Sequence, residues 1–125
     1  MDLLLDTHVL LWWLADDAQL TDKACELIAA PENMVFVSVA SAWEIAIKQT
    51  LGKLTIGGDL EAVVIEEGFT TLPISFKHAA ETQSLPPIHN DPFDRMLVAQ
   101  ARVEALHLLT ADRRVLKYPA NVISC

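Results

Sequence analysis

The apolar positions of this chain predict strands that alternate with helices. Short apolar runs typical of buried strands occur at LLL (residues 3–5), MVFVS (34–38), LHLLT (106–110) and NVISC (121–125), and FTTLPI (69–74) alternates like a half-buried strand. Helical patterns fill the intervals at residues 9–14, 21–30, 41–51, 60–67 and 76–85, and from residue 92 onward. This alternation predicts an α/β fold: a three-layer sandwich whose central, mainly parallel sheet of about five strands is flanked by helices.

Local signals place several helix starts. Ser41 with Glu44 fits the S-x-x-E capping-box pattern, which predicts a helix that begins at Ser41. Ser75 is expected to begin the helix FKHAAETQSL, because serine is a favoured N-cap. The segment NDPF is a strong start signal, with Pro92 at or near the first helical position.

Composition narrows the class of protein. With 125 residues, 52% of them hydrophobic, and a mean hydropathy of +0.30, the chain is expected to form a single domain over residues 1–125. No apolar run approaches the roughly 20 residues that span a bilayer, and the N-terminus lacks the basic segment of a signal peptide. Cys25 and Cys125 form neither a CxxC motif nor a disulfide framework, so a cytoplasmic location is expected.

The charge balance leaves the partner open. A net charge of −8 argues at first against nucleic acid, because phosphate-binding proteins are usually basic. From Asp94 to the C-terminus, however, five basic residues accompany only three acidic ones. Carboxylates that bind divalent cations would also cancel part of the formal charge.

Four carboxylates stand where ordinary surface acids would not. Asp6 ends the first predicted strand, and Asp112 follows LHLLT after a single intervening residue. Glu44 lies one turn into the helix after MVFVS, and Asp94 continues the apolar stripe of its own helix. Functional groups of parallel sheets gather at the carboxyl ends of the strands, so all four are expected at one edge.

Each acid also has an ordinary structural explanation. Asp6 would cap the first helix, and Glu44 would complete the capping box or pair with Lys48. Asp94 would complement its helix dipole, and Asp112 would cap RRVLK or neutralise Arg113. For any one acid the structural explanation is the stronger. For the four together it is the weaker, because clustered like charges repel each other unless a cation neutralises them.

The ligand chemistry favours Mg²⁺ or Mn²⁺ over zinc, because no Cys/His set has usable spacing. The histidines are scattered singly and are expected to be structural or exposed: His8, His78, His89 and His107. An acidic site that holds hard cations suits in-line hydrolysis of a phosphodiester by an activated water, with no side-chain nucleophile.

Four segments resemble a known family. They are LLLDTHVLLW (residues 3–12), SVASAWEIAIKQTLGKL (38–54), HNDPFDRMLVAQA (89–101) and LLTAD (108–112). In this order they resemble the PIN domain and, more narrowly, the VapC-type ribonuclease toxins of bacterial toxin–antitoxin pairs. The resemblance covers nearly the whole chain, and DPFDRMLVAQA with SAWEIAIK is its specific part.

The resemblance implies a five-stranded parallel sheet, a homodimer, a cognate antitoxin partner and cleavage of single-stranded regions of RNA. The residues that match the family's acidic quartet, which holds Mg²⁺ or Mn²⁺, are Asp6, Glu44, Asp94 and Asp112. Thr110 occupies the hydroxyl position that in relatives often supports the last acid. For Asp91, a catalytic role and an N-cap role both stay open.

Two further sets of residues bear on partners. Basic residues near the motifs could contact the RNA backbone or simply be solvated: Lys48, Lys53, Arg95, Arg113 and Arg114. Trp12 and Trp13 are adjacent on a helix, so at least one is expected to be incompletely buried. A solvent-facing tryptophan would suggest a dimer or antitoxin contact, or an incidental surface position.

Two rival functions use the same features. A phospho-receiver signalling domain also binds Mg²⁺ with acids at strand ends, but it should carry a paired acid after the first strand and a late lysine. This chain has Asp6 alone and no suitable lysine. A non-catalytic interaction module that keeps the fold is the second rival.

Overall fold

The computed structural model describes all 125 residues, in five strands and six α-helices. The strands are β1 (Asp2–Leu5), β2 (Met34–Ser38), β3 (Thr70–Leu72), β4 (His107–Thr110) and β5 (Val122–Ser124). The α-helices are α1 (Thr7–Leu14), α2 (Asp22–Ala29), α3 (Val39–Thr50), α4 (Leu60–Glu66), α5 (Phe76–Glu81) and α6 (Pro92–Glu104). Short 3₁₀ turns cover Thr82–Ser84 and Val115–Lys117.

The strands form one sheet in the order β3-β2-β1-β4-β5, and every pairing is parallel. Strand β1 lies at the centre, where Leu4 pairs with Phe36 of β2 on one side and with Leu108 of β4 on the other. The predicted α/β sheet of five strands is therefore confirmed, and it is wholly rather than mainly parallel. All five carboxyl ends consequently point to one edge of the sheet.

Alternate residues of the strands pack into two separate hydrophobic cores. Leu3 and Leu5 pack into the core that contains residues of α1, α2 and α4. Leu4 points the opposite way, into the core built with α6. Both faces of the sheet are thus covered, which confirms the three-layer sandwich and explains the unbroken leucine run of β1.

The start of α3 differs from the prediction. Ser38, the last residue of β2, is the N-cap, and its Oγ accepts a hydrogen bond from the N–H of Ala40 at 2.9 Å. Ser41 lies inside the helix, where its Oγ accepts from Thr7 Oγ1 at 3.0 Å. The predicted capping box of Ser41 with Glu44 was therefore wrong, because strand and helix meet without a loop.

Helix α5 begins after Ser75 as predicted, but it ends at Glu81 and continues only as a 3₁₀ turn. Trp12 and Trp13 are both half-buried. The tryptophan that faces solvent is Trp43 of α3, with 60% of its surface exposed and its ring 5.2 Å from that of Phe93. None of the helices has the length and apolar character needed to cross a membrane.

Candidate functional site

Asp6 follows the last residue of β1 and is held from two sides. Its Oδ1 accepts a hydrogen bond from the N–H of Val9 at 2.9 Å, which makes it the N-cap of α1. Its Oδ2 accepts from Thr110 Oγ1, at the end of the neighbouring strand β4. Burial raises the pKa of Asp6, although the two hydrogen bonds oppose that rise. The carboxylate is therefore fixed rigidly at the carboxyl edge of the sheet.

Asp94 lies in the first turn of α6, close to several other acids. Burial, followed by the negative charges of Asp91, Asp6 and Glu44, raises its pKa to about 6, and only His89 acts in the opposite direction. Asp91 is the N-cap of α6, because its Oδ1 accepts from the backbone N–H groups of Phe93 and Asp94 at 2.8 and 3.1 Å. The observed hydrogen bonds of Asp91 therefore support its N-cap role.

Asp112 completes this edge two residues beyond β4. Its N–H donates to Thr110 Oγ1 at 3.1 Å, so one hydroxyl connects Asp112 to Asp6. Partial burial raises the pKa of Asp112, but hydrogen bonds from the backbone and side chain of Arg114 outweigh it, and the net shift is downward. Asp112 is accordingly the most readily ionised of the three aspartates for which a shift is resolved.

Glu44 reaches this group from α3. Its Oε2 pairs with Lys48 Nζ at 3.1 Å, which is the i,i+4 contact anticipated from the sequence. Its Oε1 is buried and has no hydrogen-bond partner. A buried carboxylate oxygen without a partner is costly, so this atom is open to a ligand from outside the chain.

His89 joins the acids, which the sequence reasoning did not anticipate. Its Nε2 lies 2.9 Å from Asp94 Oδ2 and 3.8 Å from Asp112 Oδ2, and ligand atoms of these three residues fall within 4.8 Å of one another. The sequence predicted His89 to be structural or exposed rather than a ligand, and the structure places it half-buried against two of the acids. His89 lies two residues before the N-cap Asp91, and no spacing rule brings a residue of this loop to the acids.

The basic residues predicted to contact RNA differ in their surroundings. The guanidinium of Arg95 donates to the carbonyls of Pro86 and Thr82 at 3.0 Å and to the hydroxyl of Tyr118 at 3.1 Å. It is thus occupied by the chain itself, which argues against the predicted RNA contact. Lys48 is held by Glu44, whereas Arg113 is exposed.

The donor set suits a hard divalent cation. Asp94, Asp112 and His89 have ligand atoms within 4.8 Å of one another, and the carboxylates of Asp6 and Glu44 lie near enough to raise the pKa of Asp94. Oxygen ligands favour Mg²⁺ or Mn²⁺, and the mutual repulsion evident in the raised pKa of Asp94 would be relieved by a positive ion. The partnerless Glu44 Oε1 supports the same fit.

Comparison with known proteins agrees with this architecture. The family model of the PIN domain matches residues 3–121. Ribonuclease VapC22 of Mycobacterium tuberculosis is 31% identical over 115 residues, which are 90% of this chain and 88% of the relative. The chain belongs to the PIN domain family, and the resemblance read from its motifs is confirmed.

Solved structures show the same fold. The VapBC2 complex of Rickettsia felis, bound to a DNA fragment from its promoter, superposes with a TM-score of 0.71 at 15% identity, covering 100% of this chain and 99% of that one. A toxin–antitoxin complex from Klebsiella pneumoniae gives a TM-score of 0.65 at 18% identity, with 97% and 95% covered. FitAcB of Neisseria gonorrhoeae gives 0.64 at 20%, with 90% and 89% covered.

The strand order excludes one rival function. Receiver domains have the flavodoxin-like order 2-1-3-4-5, whereas this sheet has the order 3-2-1-4-5. The receiver-domain alternative is therefore wrong. The non-catalytic interaction module has the same fold as a PIN nuclease and must be separated by experiment.

Proposed function

We propose that this chain is a divalent-metal-dependent endoribonuclease and the toxin of a toxin–antitoxin pair, acting in the cytoplasm. The observation that carries the proposal is the buried acidic group at the sheet edge, in which Glu44 Oε1 has no partner and Asp94 is crowded by like charge. The 31% identity to a ribonuclease over most of the chain supports the same reaction class.

The residues proposed to hold the cation are Asp6, Glu44, Asp94 and Asp112. When bound, Mg²⁺ or Mn²⁺ supplies Lewis-acid stabilisation of the phosphodiester and activates a water for in-line attack. Thr110 fixes the orientation of Asp6 and the backbone of Asp112 through one hydroxyl. The side chains hold charge and geometry, and none of them serves as a nucleophile.

The acidic residues at the sheet edge have different hydrogen-bond partners and therefore different proposed roles. Asp6 has a hydrogen-bond donor on each oxygen, yet a carboxylate offers about four lone-pair positions, so positions remain for a cation. Asp112 is held ionised by Arg114, so it offers a charged oxygen at neutral pH. Asp91 acts through the helix start and is proposed as a support of Asp94.

The proposed partners are an RNA substrate, a cognate antitoxin and a second copy of the chain. Exposed cations that could meet an RNA backbone are Lys53, Arg113 and Arg114. The structural neighbours include toxin–antitoxin complexes, which supports the antitoxin partner. The exposed ring of Trp43 supports an apolar contact with a partner chain.

The direct test is cleavage of single-stranded RNA by the purified chain in Mg²⁺ or Mn²⁺, with and without chelator. Asp6→Asn should reduce cleavage at least about a hundredfold, because several kcal/mol of charge stabilisation are lost. Asp2→Asn is the matched control, since Asp2 is exposed at the opposite end of β1. Survival of cleavage in the Asp6→Asn, Asp94→Asn double variant would refute the proposed site.

The toxin assignment has a separate test. Expression of the chain alone should arrest growth, and Asp94→Ala should relieve the arrest. Co-expression of a neighbouring small gene with a DNA-binding N-terminus should also relieve it. A chain that binds RNA without cutting it in either metal would instead be the non-catalytic interaction module.

A further inference from the structure

We propose that His89 is a positioning residue for Asp94: it occupies one oxygen of that carboxylate and so turns the other toward the cation. The inference deepens the proposed metal-dependent activity and rests on it. The direct contact is between His89 Nε2 and Asp94 Oδ2, at 2.9 Å, and both side chains are largely buried.

The second ring nitrogen indicates which tautomer is present. His89 Nδ1 accepts a hydrogen bond from the N–H of Asp91 at 3.5 Å, so Nδ1 carries no proton. The proton is then on Nε2, which donates to Asp94 Oδ2. A nitrogen that donates a proton has no lone pair for a metal, so this geometry makes His89 a support of the ligand.

The loop that carries His89 is fixed independently of the imidazole. The backbone N–H of His89 donates to the hydroxyl of Tyr118 at 3.0 Å, and that hydroxyl donates to the carbonyl of His89 at 3.1 Å. Arg95 donates to the same hydroxyl and to the carbonyl of Pro86. Tyr118 is buried, so both peptide groups of His89 are held from the core.

The backbone position of His89 therefore does not depend on its imidazole. Because Tyr118 and Arg95 hold the backbone, removal of the imidazole should leave the loop in place. What is lost is the donor to Asp94, which would leave that carboxylate free to rotate among the neighbouring acids. Supports of this kind, one step removed from the metal, are typically worth 10–100-fold in metal affinity.

The test measures Mn²⁺ binding to the metal-free 125-residue chain by electron paramagnetic resonance. His89→Ala should weaken Mn²⁺ binding about tenfold or more, with the thermal unfolding midpoint of the metal-free protein little changed. His89→Gln should restore most of the affinity, because its amide N–H can reach the place of Nε2. His107→Gln, at the amino end of β4, is the control and should bind Mn²⁺ like the unaltered chain.

Three results would overturn the inference, and they can be told apart. Equal Mn²⁺ affinity of His89→Ala and the unaltered chain would refute positioning and leave the proposed function intact. A nitrogen hyperfine coupling to bound Mn²⁺ that disappears in His89→Ala would make His89 a direct ligand instead. Absence of Mn²⁺ binding by the unaltered chain would refute the proposed function, and with it this inference.

Discussion

Two histidines, His78 and His89, each lie 2.9 Å from a carboxylate oxygen, but the groups around them differ. His78 Nε2 contacts Glu104, while its Nδ1 accepts from the N–H of Ser75 at 3.0 Å and lies 3.3 Å from the amide of Gln100. Gln100 in turn accepts a hydrogen bond from Ser38, the N-cap of α3. In this network each polar group has a partner, as buried polar groups of stable folds do.

His89, in contrast, is one donor among several acids. Asp94 is raised in pKa by burial and by its acidic neighbours, and Glu44 keeps one oxygen without any partner. The network around His78 stabilises the fold. The acids around His89 lower the stability, and interactions elsewhere in the chain must offset that cost. The difference supports the proposal that the functional chemistry lies at the His89 group, although both groups look alike as single His–carboxylate pairs.

The largest effect is expected at Asp94. Asp94→Asn should lower RNA cleavage at least about a hundredfold, since a charge-stabilising ligand is lost. The same change should leave the unfolding free energy of the metal-free protein, measured with urea at pH 7, equal or higher, because it removes a crowded charge. If the variant instead loses cleavage because it is destabilised, Asp94 has a structural role like that of Gln100.

Gln100 should show the reverse behaviour. Gln100→Leu should lower the unfolding free energy by about 2–3 kcal/mol, because it leaves buried polar groups without partners. Cleavage measured well below the unfolding temperature should persist. Gln83→Leu is the control, because Gln83 is exposed, and it should change stability by less than about 0.5 kcal/mol. Tolerance of Gln100→Leu would mean that the network is dispensable.

Glu44 tests whether its partnerless oxygen is functional. Glu44→Gln keeps the shape of the side chain but removes the charge, so cleavage should fall about tenfold or more while stability is unchanged. Glu66→Gln, at an exposed position of α4, should have no effect on cleavage. Full activity of Glu44→Gln would remove this residue from the proposed cation site.

The smallest effect is a pH dependence of the metal-free protein. Asp94 has a pKa near 6 in the folded chain and an ordinary value of 3.8 when unfolded, so between these values the folded chain binds the additional proton. The contribution of Asp94 to stability therefore falls as pH rises from about 4 to 6 and stays low above that range. Urea unfolding of the unaltered chain and of Asp94→Asn should diverge across this interval. Parallel curves would contradict the crowding of Asp94.

Local pattern was sufficient for the fold and for the places of the acids. The leucines of β1 mark a strand buried on both faces, so the residue after it, Asp6, must lie at the sheet edge. Asp94 could likewise be placed from the apolar stripe of α6. These inferences need only periodicity and the geometry of parallel strands.

Contacts between distant segments could not be read in the same way. Ser38 rather than Ser41 caps α3 because the chain turns directly out of β2, which no spacing rule indicates. His89 and Arg95 acquired their surroundings from Tyr118, which lies more than twenty positions away. Such pairings depend on how the 85–91 loop packs, and the sequence pattern carries no signal for that packing.

The hydrogen bond between Thr110 and Asp6 joins residues 104 positions apart in a chain of 125. Strand β1 and its neighbour β4 lie side by side in the sheet, although β4 is synthesised about a hundred residues after β1. The two strands cannot pair until the segment up to Thr110 has been synthesised, so Asp6 and Asp112 stay apart until that point of elongation. The acidic group at the sheet edge therefore cannot assemble before residues 107–112 have been synthesised and β4 has paired with β1.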